Sequence, residues 1–296
     1  MKRASPPLIE GKPLAPELAL SAHLFAYEPL RFEHLKEAAD AGFRKIELWA
    51  MTPHFDVSNE ARLKTLKDWL AELSLEAPSF HAPFYADLSE AREGRWLSLA
   101  ATDSDAREAA IDKTIQALRA FRPFGARIAV IHPSAPGSAG DPDSYEALEA
   151  SIERLLPVAE ESNAVIALEN IPSALGRAEP LAGFVGRIDH PRLRICIDTG
   201  HALITEGQNT RSAVEQLTPL CVATHLHDND GRSDAHLIPG EGAFEWPPFF
   251  TTLDARGYSG TLALELRRKE EPYAETLAAA ARAMRTLTSQ IKPSPA

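Results

Sequence analysis

Short apolar runs alternate with longer amphipathic segments along the chain. Each apolar run has the length of a β-strand, and each amphipathic segment has apolar residues at helical spacing. The eight runs occupy residues 18–25, 45–50, 77–83, 127–132, 165–170, 193–198, 222–228 and 261–267. The predicted helices occupy residues 31–41, 60–73, 104–121, 144–161, 181–188, 210–217, 247–255 and 275–288. Strands that alternate with helices in this way are typical of a parallel sheet.

Eight such units fit a closed α/β barrel, a fold of about 250 residues. The alternative is an open doubly wound sheet, which would carry a G-x-G-x-x-G or G-x-x-x-x-G-K motif after an early strand. Neither motif occurs. In the last run, Leu262 and Leu264 alternate with smaller residues and Glu265, as expected where large side chains face the helices and the others face the barrel axis. We therefore predict a single (β/α)8 TIM barrel.

The ends of the chain and of the helices carry their own signals. Prolines recur within residues 1–16, which predicts an extended arm there, followed by one barrel domain at 17–290 and a tail at 291–296. Asp103 and Asp143 stand where helix N-caps are expected. Gly42 and Gly125 stand where left-handed C-caps are expected.

Composition and charge narrow the classes of function. The 296 residues carry a net charge of −11, which disfavours a nucleic-acid partner without excluding a local basic patch. The two cysteines, Cys196 and Cys221, are too few for a disulfide scaffold and indicate buried, reduced thiols. No apolar run has the length of a membrane span or of a signal-peptide core. We expect a cytoplasmic protein without a membrane partner.

Polar side chains stand at the end of nearly every predicted strand, where the active sites of α/β barrels form. Neutral imidazoles and carboxylates that converge on one point are typical of a metal site, and this mixture suits Mn, Co, Fe or Zn better than Ca. The strand-end residues are Glu47, His81, His132, Glu169, Asp198, His225, His227 and Glu265. The loops that follow add His201, Asp234 and His236.

Five short segments that contain these strand-end and loop residues resemble motifs of the xylose isomerase-like TIM barrel superfamily. Its members include sugar phosphate isomerases and epimerases, inosose dehydratases and the endonuclease IV family. The segments are ALEN at 167–170, CIDTGH at 196–201, HLHD at 225–228, DAHLIPGEG at 234–242 and LEL at 264–266. The resemblance extends over roughly residues 18–288 and agrees with the barrel prediction.

The resemblance implies a site for one to three divalent ions, with Mn, Co, Mg and Zn as the candidates. Glu169, Asp198 and Glu265 match shared ligands, and a histidine of the seventh strand completes the set. That histidine would be His227 by the ketose 3-epimerase pattern and His225 by the endonuclease pattern. Both side chains point the same way from a strand, so strand parity leaves the choice open.

The resemblance also implies catalytic roles for two glutamates, because Glu169 and Glu265 match the acid and base of the epimerases. In those epimerases an arginine follows the strand-seven histidine by six residues, whereas this chain has Ser233 there beside Arg232. Further candidates for metal or substrate binding are His81, His132, His201, Asp234, His236, Glu47, Arg232 and Arg267.

Three functions fit these residues. The preferred one is a metal-dependent isomerase or epimerase that moves a proton next to the carbonyl of a sugar or sugar-like polyol. The two enzymatic alternatives are a phosphodiesterase of the endonuclease IV kind and a polyol-ketone dehydratase. A non-enzymatic alternative is a barrel that only binds sugar or metal. The expected partner is a small sugar, and the superfamily's frequent dimers and tetramers leave a homo-oligomer open.

Overall fold

The computed structural model describes residues 17–267 and 273–289. The strands are β1 (Glu17–Ser21), β2 (Lys45–Trp49), β3 (Glu76–His81), β4 (Ile128–Ile131), β5 (Val165–Glu169), β6 (Leu193–Asp198), β7 (Cys221–Leu226) and β8 (Thr261–Leu264). The α-helices of this part of the chain are α1 (Phe32–Asp40), α2 (Glu60–Glu72), α3 (Leu88–Arg92), α4 (Ser104–Phe121), α5 (Pro142–Glu161), α6 (Ala178–Ile188), α7 (Thr199–Glu206), α8 (Thr210–Leu217), α9 (Trp246–Ala255) and α10 (Tyr273–Ser289). The predicted arm at 1–16 and tail at 291–296 lie outside the described residues.

The eight strands form one closed parallel barrel in chain order. β1 pairs in parallel with β8, and Glu17 stands opposite Thr261 in that pair. This last pairing closes the sheet, so the predicted TIM barrel is confirmed and the open doubly wound alternative is wrong.

Apolar side chains pack on both faces of the barrel strands. A small cluster contains Val130, Ala167, Cys196 and Ala223, from four consecutive strands. The neighbouring strand residue Leu168 belongs instead to the large core cluster that includes the helices. Large side chains therefore pack outward and small ones inward, which leaves room at the barrel axis for the polar side chains near the mouth.

The helix ends agree with the sequence prediction at three of four positions. Asp103 caps α4, where its side chain accepts from the N–H of Ala106. Gly42 and Gly125 have φ angles of 97° and 77°, the left-handed region that glycine favours. Asp143 was the wrong choice for the N-cap of α5.

The cap of α5 is Asp141, whose side chain accepts from the N–H of Ser144. Pro142 follows it at the first helical position, where a missing N–H costs nothing. The proline fixes the start of α5 two residues earlier than the carboxylate at 143 suggested.

Other differences concern the lengths of the elements. β1 ends at Ser21 because residues 22–25 form a 3₁₀ helix, and β8 ends before Glu265. Both α3 and α7 are absent from the sequence prediction. α3 is the next element after β3, and α7 begins directly after β6, at the end of the barrel that carries the polar residues. Both cysteines are free, with Cys196 buried and Cys221 partly buried. None of the described helices has the length and apolarity needed to cross a bilayer.

Candidate metal centre

Four buried side chains meet at the carboxyl ends of the second half of the barrel. Glu169 and Asp198 are the last residues of β5 and β6, His225 lies near the end of β7, and Glu265 directly follows β8. Each offers one ligand atom, and these atoms all lie within 4.8 Å of one another. We call these four residues the central group.

The backbone holds this group in register. Asp198 stands opposite His225 in the β6–β7 pair, so their side chains project from the same level of the barrel. Asn170 secures Asp198, because its side chain donates to the carbonyl oxygen of Asp198 at 2.9 Å and accepts from its N–H at 2.6 Å. The amide after Glu169 therefore locks β5 to β6 at the site.

Several polar atoms of the central group are buried without a hydrogen-bond partner among the described residues. They are Glu169 Oε1, His225 Nδ1 and Glu265 Oε1. His225 Nδ1 nevertheless lies 3.5 Å from Glu169 Oε1 and 3.6 Å from Glu265 Oε2. Buried polar atoms that approach one another without hydrogen bonding are costly unless a cation lies between them. The central group therefore fits a divalent ion.

Two neighbouring histidines have a fixed ring orientation of the kind that metal ligands show. His81 Nδ1 lies 2.8 Å from the carbonyl oxygen of Ala82, and His236 Nδ1 lies 2.8 Å from that of Glu265. A carbonyl can only accept, so these Nδ1 atoms carry a proton, and Nε2 is the nitrogen that remains to bind an ion. The two Nε2 atoms face carboxylates, Glu169 Oε2 at 3.1 Å and Asp234 Oδ2 at 2.9 Å.

Four further groups of potential ligands overlap or flank the central group in the described residues, and two of them bring in most of the remaining candidates. The inner group consists of His81, His132 and Glu169, so it shares Glu169 with the central group. The outer group consists of His201, His227, Asp234 and His236.

The geometry separates the two histidines at the end of β7, His225 within the strand and His227 just after it, which strand parity could not separate. His225 belongs to the central group and His227 to the outer group. His227 still touches the central group, because its Nε2 lies 3.0 Å from both carboxylate oxygens of Asp198.

The first turn of α7 builds one side of the outer group. Asp198 caps this helix by accepting from the N–H of His201 at 2.6 Å, which fixes His201 one turn away. Thr199 Oγ1 donates to the carbonyl oxygen of His227 at 2.7 Å. A Cβ at Gly200 would lie 2.0 Å from His227 Cε1, so only glycine admits this ring.

The loop after β7 supplies the other side of the outer group. Asp228 is fully buried and its carboxylate accepts from the N–H groups of Gly240 and Phe244 and from the indole N–H of Trp246. His236 has a φ of 46°, a conformation that non-glycine residues adopt mainly where surrounding contacts impose it. Asp228 thus folds the loop so that His236 turns back toward the barrel.

Charges in the centre push the two glutamates in opposite directions. Burial raises the pKa of Glu169, but the charges of His225 and His132 outweigh it and hold the pKa well below its usual value. Burial raises the pKa of Glu265 far above its usual value, and the nearby Glu169 and Asp198 add to the rise.

Two histidines show how strongly these carboxylates attract positive charge. Burial lowers the pKa of His201, but Asp198 and Glu169 outweigh it and raise the pKa to about 10. Burial likewise opposes the charged form of His225, yet the surrounding Cys196, Glu265 and Glu47 raise its pKa well above normal. The site favours a cation at its centre.

Three candidates lie apart from the ligand groups. Glu47 lies deeper in the barrel, where its Oε1 is 2.7 Å from His225 Nε2, and it joins none of the ligand groups found in the described residues. Arg267 lines the cavity at the mouth and donates to the carbonyl and carboxylate oxygens of Asp234. Arg232 is exposed and does not line this cavity.

The cavity above the candidate metal ligands has a volume of about 410 Å³. Its floor carries histidines and carboxylates, whereas one wall is aromatic. Trp49 comes from the end of β2, and the segment around α3 contributes Phe84, Tyr85 and Trp96. None of these aromatic residues is among the site residues predicted from the sequence. The aromatic residues that flank the short α3 were the available signal for this wall.

The chain belongs to the family described as the xylose isomerase-like TIM barrel, which it matches over residues 35–287. An uncharacterized protein of Methanocaldococcus jannaschii is 32% identical over 123 residues, 39% of this chain and 41% of that protein. A probable endonuclease 4 of Mycoplasma mobile is 30% identical over 135 residues, 42% of this chain and 47% of the relative. These two matches span less than half of either relative. A fructoselysine 3-epimerase of Escherichia coli O157:H7 is 23% identical over 247 residues, 81% of this chain and 87% of the relative.

Solved structures resemble the whole barrel. A D-tagatose 3-epimerase-like protein superposes with a TM-score of 0.76 at 21% identity, over 92% of this chain and 97% of that one. The IOLI protein with a zinc atom superposes with a TM-score of 0.76 at 16% identity, over 93% and 99% of the two chains. At these identities the likeness concerns the fold.

Proposed function

We propose that the protein is a divalent-metal-dependent isomerase or epimerase of a sugar or sugar-like polyol. The observation that carries this proposal is the central group, in which four buried ligand atoms lie within 4.8 Å of one another at the mouth of a TIM barrel. The names of two similar proteins, a fructoselysine 3-epimerase and a D-tagatose 3-epimerase-like protein, support the same class.

Glu169, Asp198, His225 and Glu265 would hold the ion, and the mixture of one imidazole with three carboxylates suits Mn, Co, Mg or Zn. A cation bound there would stabilise the negative charge that develops on a carbonyl oxygen when the neighbouring carbon loses its proton. The orphaned buried atoms Glu169 Oε1, His225 Nδ1 and Glu265 Oε1 support these assignments.

Glu169 and Glu265 are the proposed proton carriers. They stand at the ends of β5 and β8, which are separated by β6 and β7 around the barrel, so they approach the cavity from different sides. One carboxylate removes the proton from carbon, and the other delivers a proton to the opposite face. Both line the cavity, which puts them within reach of a molecule bound there.

The cavity suits a small polyol. Its volume of about 410 Å³ falls within the usual range of small-molecule sites. Polar groups at the floor would fix the oxygens of a sugar, while Trp49, Phe84 and Trp96 offer flat apolar surfaces for its C–H groups. Arg267 at the rim holds Asp234 and would carry positive charge toward the substrate.

Exchange of carbon-bound hydrogen with solvent tests this proposal. The metal-stripped protein is reloaded separately with Mn²⁺, Co²⁺, Mg²⁺ or Zn²⁺ and incubated in D₂O with a panel of ketoses that includes D-tagatose and fructoselysine. NMR should show deuterium entering next to the carbonyl, together with an epimer or isomer. Loss of water from the polyol instead of epimer formation would identify the dehydratase alternative. Absence of exchange with every metal and sugar would overturn the proposal.

A second candidate is the phosphodiesterase of the endonuclease IV kind. The observation that favours it is the presence of several adjacent ligand groups, since multinuclear sites are typical of phosphodiester cleavage. The match to a probable endonuclease 4 supports it over part of the chain. The net charge of −11 opposes it, because a DNA backbone is bound by positive charge.

Apurinic DNA distinguishes the two candidates. On the sugar proposal, sub-stoichiometric protein loaded with Zn²⁺ leaves a duplex with one abasic site intact. Metal-dependent nicking over many turnovers would reverse the ranking.

A further inference from the structure

Glu47 lies in a row of polar side chains beneath the metal ligands. Ser21 of β1 stands opposite Glu47 of β2, and Glu47 stands opposite Ser79 of β3. All three are buried inside the barrel. The row contacts the central group at one point, where Glu47 Oε1 lies 2.7 Å from His225 Nε2.

Both oxygens of Glu47 act as acceptors. Ser79 Oγ donates to Oε2 at 2.8 Å, and Ser21 Oγ donates weakly to Oε1 at 3.4 Å. The carboxylate therefore requires a proton on the ring nitrogen that faces it, which is His225 Nε2. A metal-binding histidine is a neutral ring, so donation from Nε2 leaves its lone pair at Nδ1, and this atom faces Glu169 Oε1 and Glu265 Oε2.

His225 differs in this respect from the other oriented histidines. Backbone carbonyl oxygens hold His81 and His236 through Nδ1, so these residues present Nε2 to the ligand groups. His225 is held through Nε2 by a side chain, and it presents Nδ1. A negatively charged partner also makes the imidazole more basic, which strengthens a metal–nitrogen bond.

We propose that Glu47 is a positioning residue that fixes His225 as an Nδ1 ligand of the central metal ion. This inference rests on the metal site of the proposed function. It differs from the expectation that Glu47 binds a hydroxyl group or a second metal, because both of its oxygens are occupied by Ser21, Ser79 and His225. Loss of the Glu47 side chain would leave the ring free to rotate or to carry its proton on Nδ1, where it would block the ion.

Metal affinity tests the proposal without use of turnover. Co²⁺ is titrated into stripped protein against a chelator, and its visible absorption reports the coordination. Glu47→Gln keeps an oxygen acceptor without the charge, so we expect about 10-fold weaker binding. Glu47→Ala removes the partner, and we expect about 100-fold weaker binding and an altered spectrum.

A matched control separates this role from a contribution to stability. Thr114→Val removes another buried side-chain hydrogen bond, from Thr114 Oγ1 to the carbonyl oxygen of Ala110 in α4, far from the site in the fold. We expect it to lower the thermal midpoint with Co²⁺ affinity unchanged. Wild-type affinity and spectrum in both Glu47 variants would overturn the proposal. If Glu47→Ala does not fold, Glu47→Gln alone decides.

The ring itself provides a second readout. Nitrogen-15 correlation spectra of the zinc-loaded protein should show His225 protonated at Nε2 and bound through Nδ1. A proton on Nδ1 would overturn the inference while leaving the metal-dependent function standing. If the wild-type protein binds neither Co²⁺ nor Zn²⁺, the proposed function and this inference fail together.

Discussion

The imidazole ring of His227 lies flat on that of His236, with 3.9 Å between the ring centroids and 13° between the ring planes. This stack is possible because Gly200 of α7 lies against the His227 ring. A Cβ at position 200 would collide with that ring. Two histidines of the segment that follows β7 are thereby held against each other in the outer group.

Gly200→Ala should push His227 out of the stack. The added Cβ would lie 2.0 Å from His227 Cε1, and we expect a loss of about 1–3 kcal/mol in the free energy of unfolding from overpacking. Turnover should fall as well, because the outer group loses its geometry. Urea denaturation and steady-state kinetics measure the two effects.

Gly183→Ala is the matched control. Gly183 lies within α6, and a Cβ there would meet no atom within 4 Å. Alanine is the better helix former, so this variant should gain about 0.5–1 kcal/mol with unchanged turnover. Equal effects of the two substitutions would contradict the steric explanation.

Glu265→Gln should abolish proton transfer on the sugar substrate. The amide keeps the shape of the side chain, which is buried beside His225, but it cannot accept or deliver the proton. Loss of a positioned acid or base costs about 10²–10⁴-fold in rate. The rate is measured at saturating metal, with bound metal determined by elemental mass spectrometry, so that lost binding is distinguished from lost chemistry. A full rate in this variant would remove Glu265 from the proposed role.

Removal of metal should destabilise the fold. Glu169, Asp198 and Glu265 are almost fully buried and close together, so their mutual repulsion is relieved when a cation binds. An ion present at about 100 times its dissociation constant adds about 2.7 kcal/mol to stability. The thermal midpoint should fall when a chelator is added and recover with excess Mn²⁺ or Zn²⁺. An identical midpoint in chelator and in both metals would argue against an ion at this site.

The sequence predicted the fold well because its signals are local. Strand length, helical spacing and the position of Asp103 depend on neighbouring residues, and eight repeats of one unit leave few topologies. The choice of Asp143 over Asp141 failed because it overlooked Pro142, whose preference for the first helical position marks the residue before it as the cap. The helix α7 was missed because Thr199, Gly200 and His201 are weak helix formers that follow the cap Asp198.

The grouping of the site residues could not be read from the sequence. His225 and His227 point the same way at the end of β7, and they separate into different groups only through contacts with other residues. Glu47 contacts His225, and His236 stacks on His227. Glu47 is distant from His225 in the chain, and the stack with His236 depends on how the intervening loop folds, so single-sequence periodicity carries no information about either contact.

His54 should make the stability of the protein depend on pH. It is buried, and its Nδ1 lies 3.1 Å from the carbonyl oxygen of Phe25. Burial lowers its pKa to about 4, below the ordinary value of about 6.5 that applies to the unfolded chain. The unfolded state therefore binds the extra proton first as the pH falls. The contribution of His54 is present above about pH 6.5 and is lost progressively toward pH 4.

The expected size of this effect is about 2 kcal/mol between pH 7 and pH 5. Urea denaturation at the two pH values, in the presence of a chelator, measures it for the wild type and for His54→Asn. The asparagine amide can still donate to Phe25 but has no proton to gain. Between pH 7 and pH 5 the free energy of unfolding should fall less in His54→Asn than in the wild type, by about 2 kcal/mol. Equal drops would mean that His54 titrates normally in the folded protein.

Asp228 should control the loop that carries His236. Its carboxylate accepts from Gly240, Phe244 and Trp246, and all of these bonds are 2.9–3.0 Å long. In Asp228→Asn an NH₂ group replaces one of the two carboxylate oxygens. Because both oxygens accept from N–H groups, at least one buried N–H donor then loses its acceptor. We expect a loss of about 1–3 kcal/mol in the free energy of unfolding and weaker metal binding at the outer group.

Trp246→Phe provides the graded comparison, because it removes a single donor and leaves the carboxylate in place. The loop should then keep its fold, and metal binding should change little, whereas both variants should lose some stability. Limited proteolysis between Asp228 and Trp246 reports the loop directly, and it should be faster in Asp228→Asn alone. Unchanged proteolysis and metal content in Asp228→Asn would show that the antiparallel bridge between Asp228 and Leu237 is enough to hold the loop.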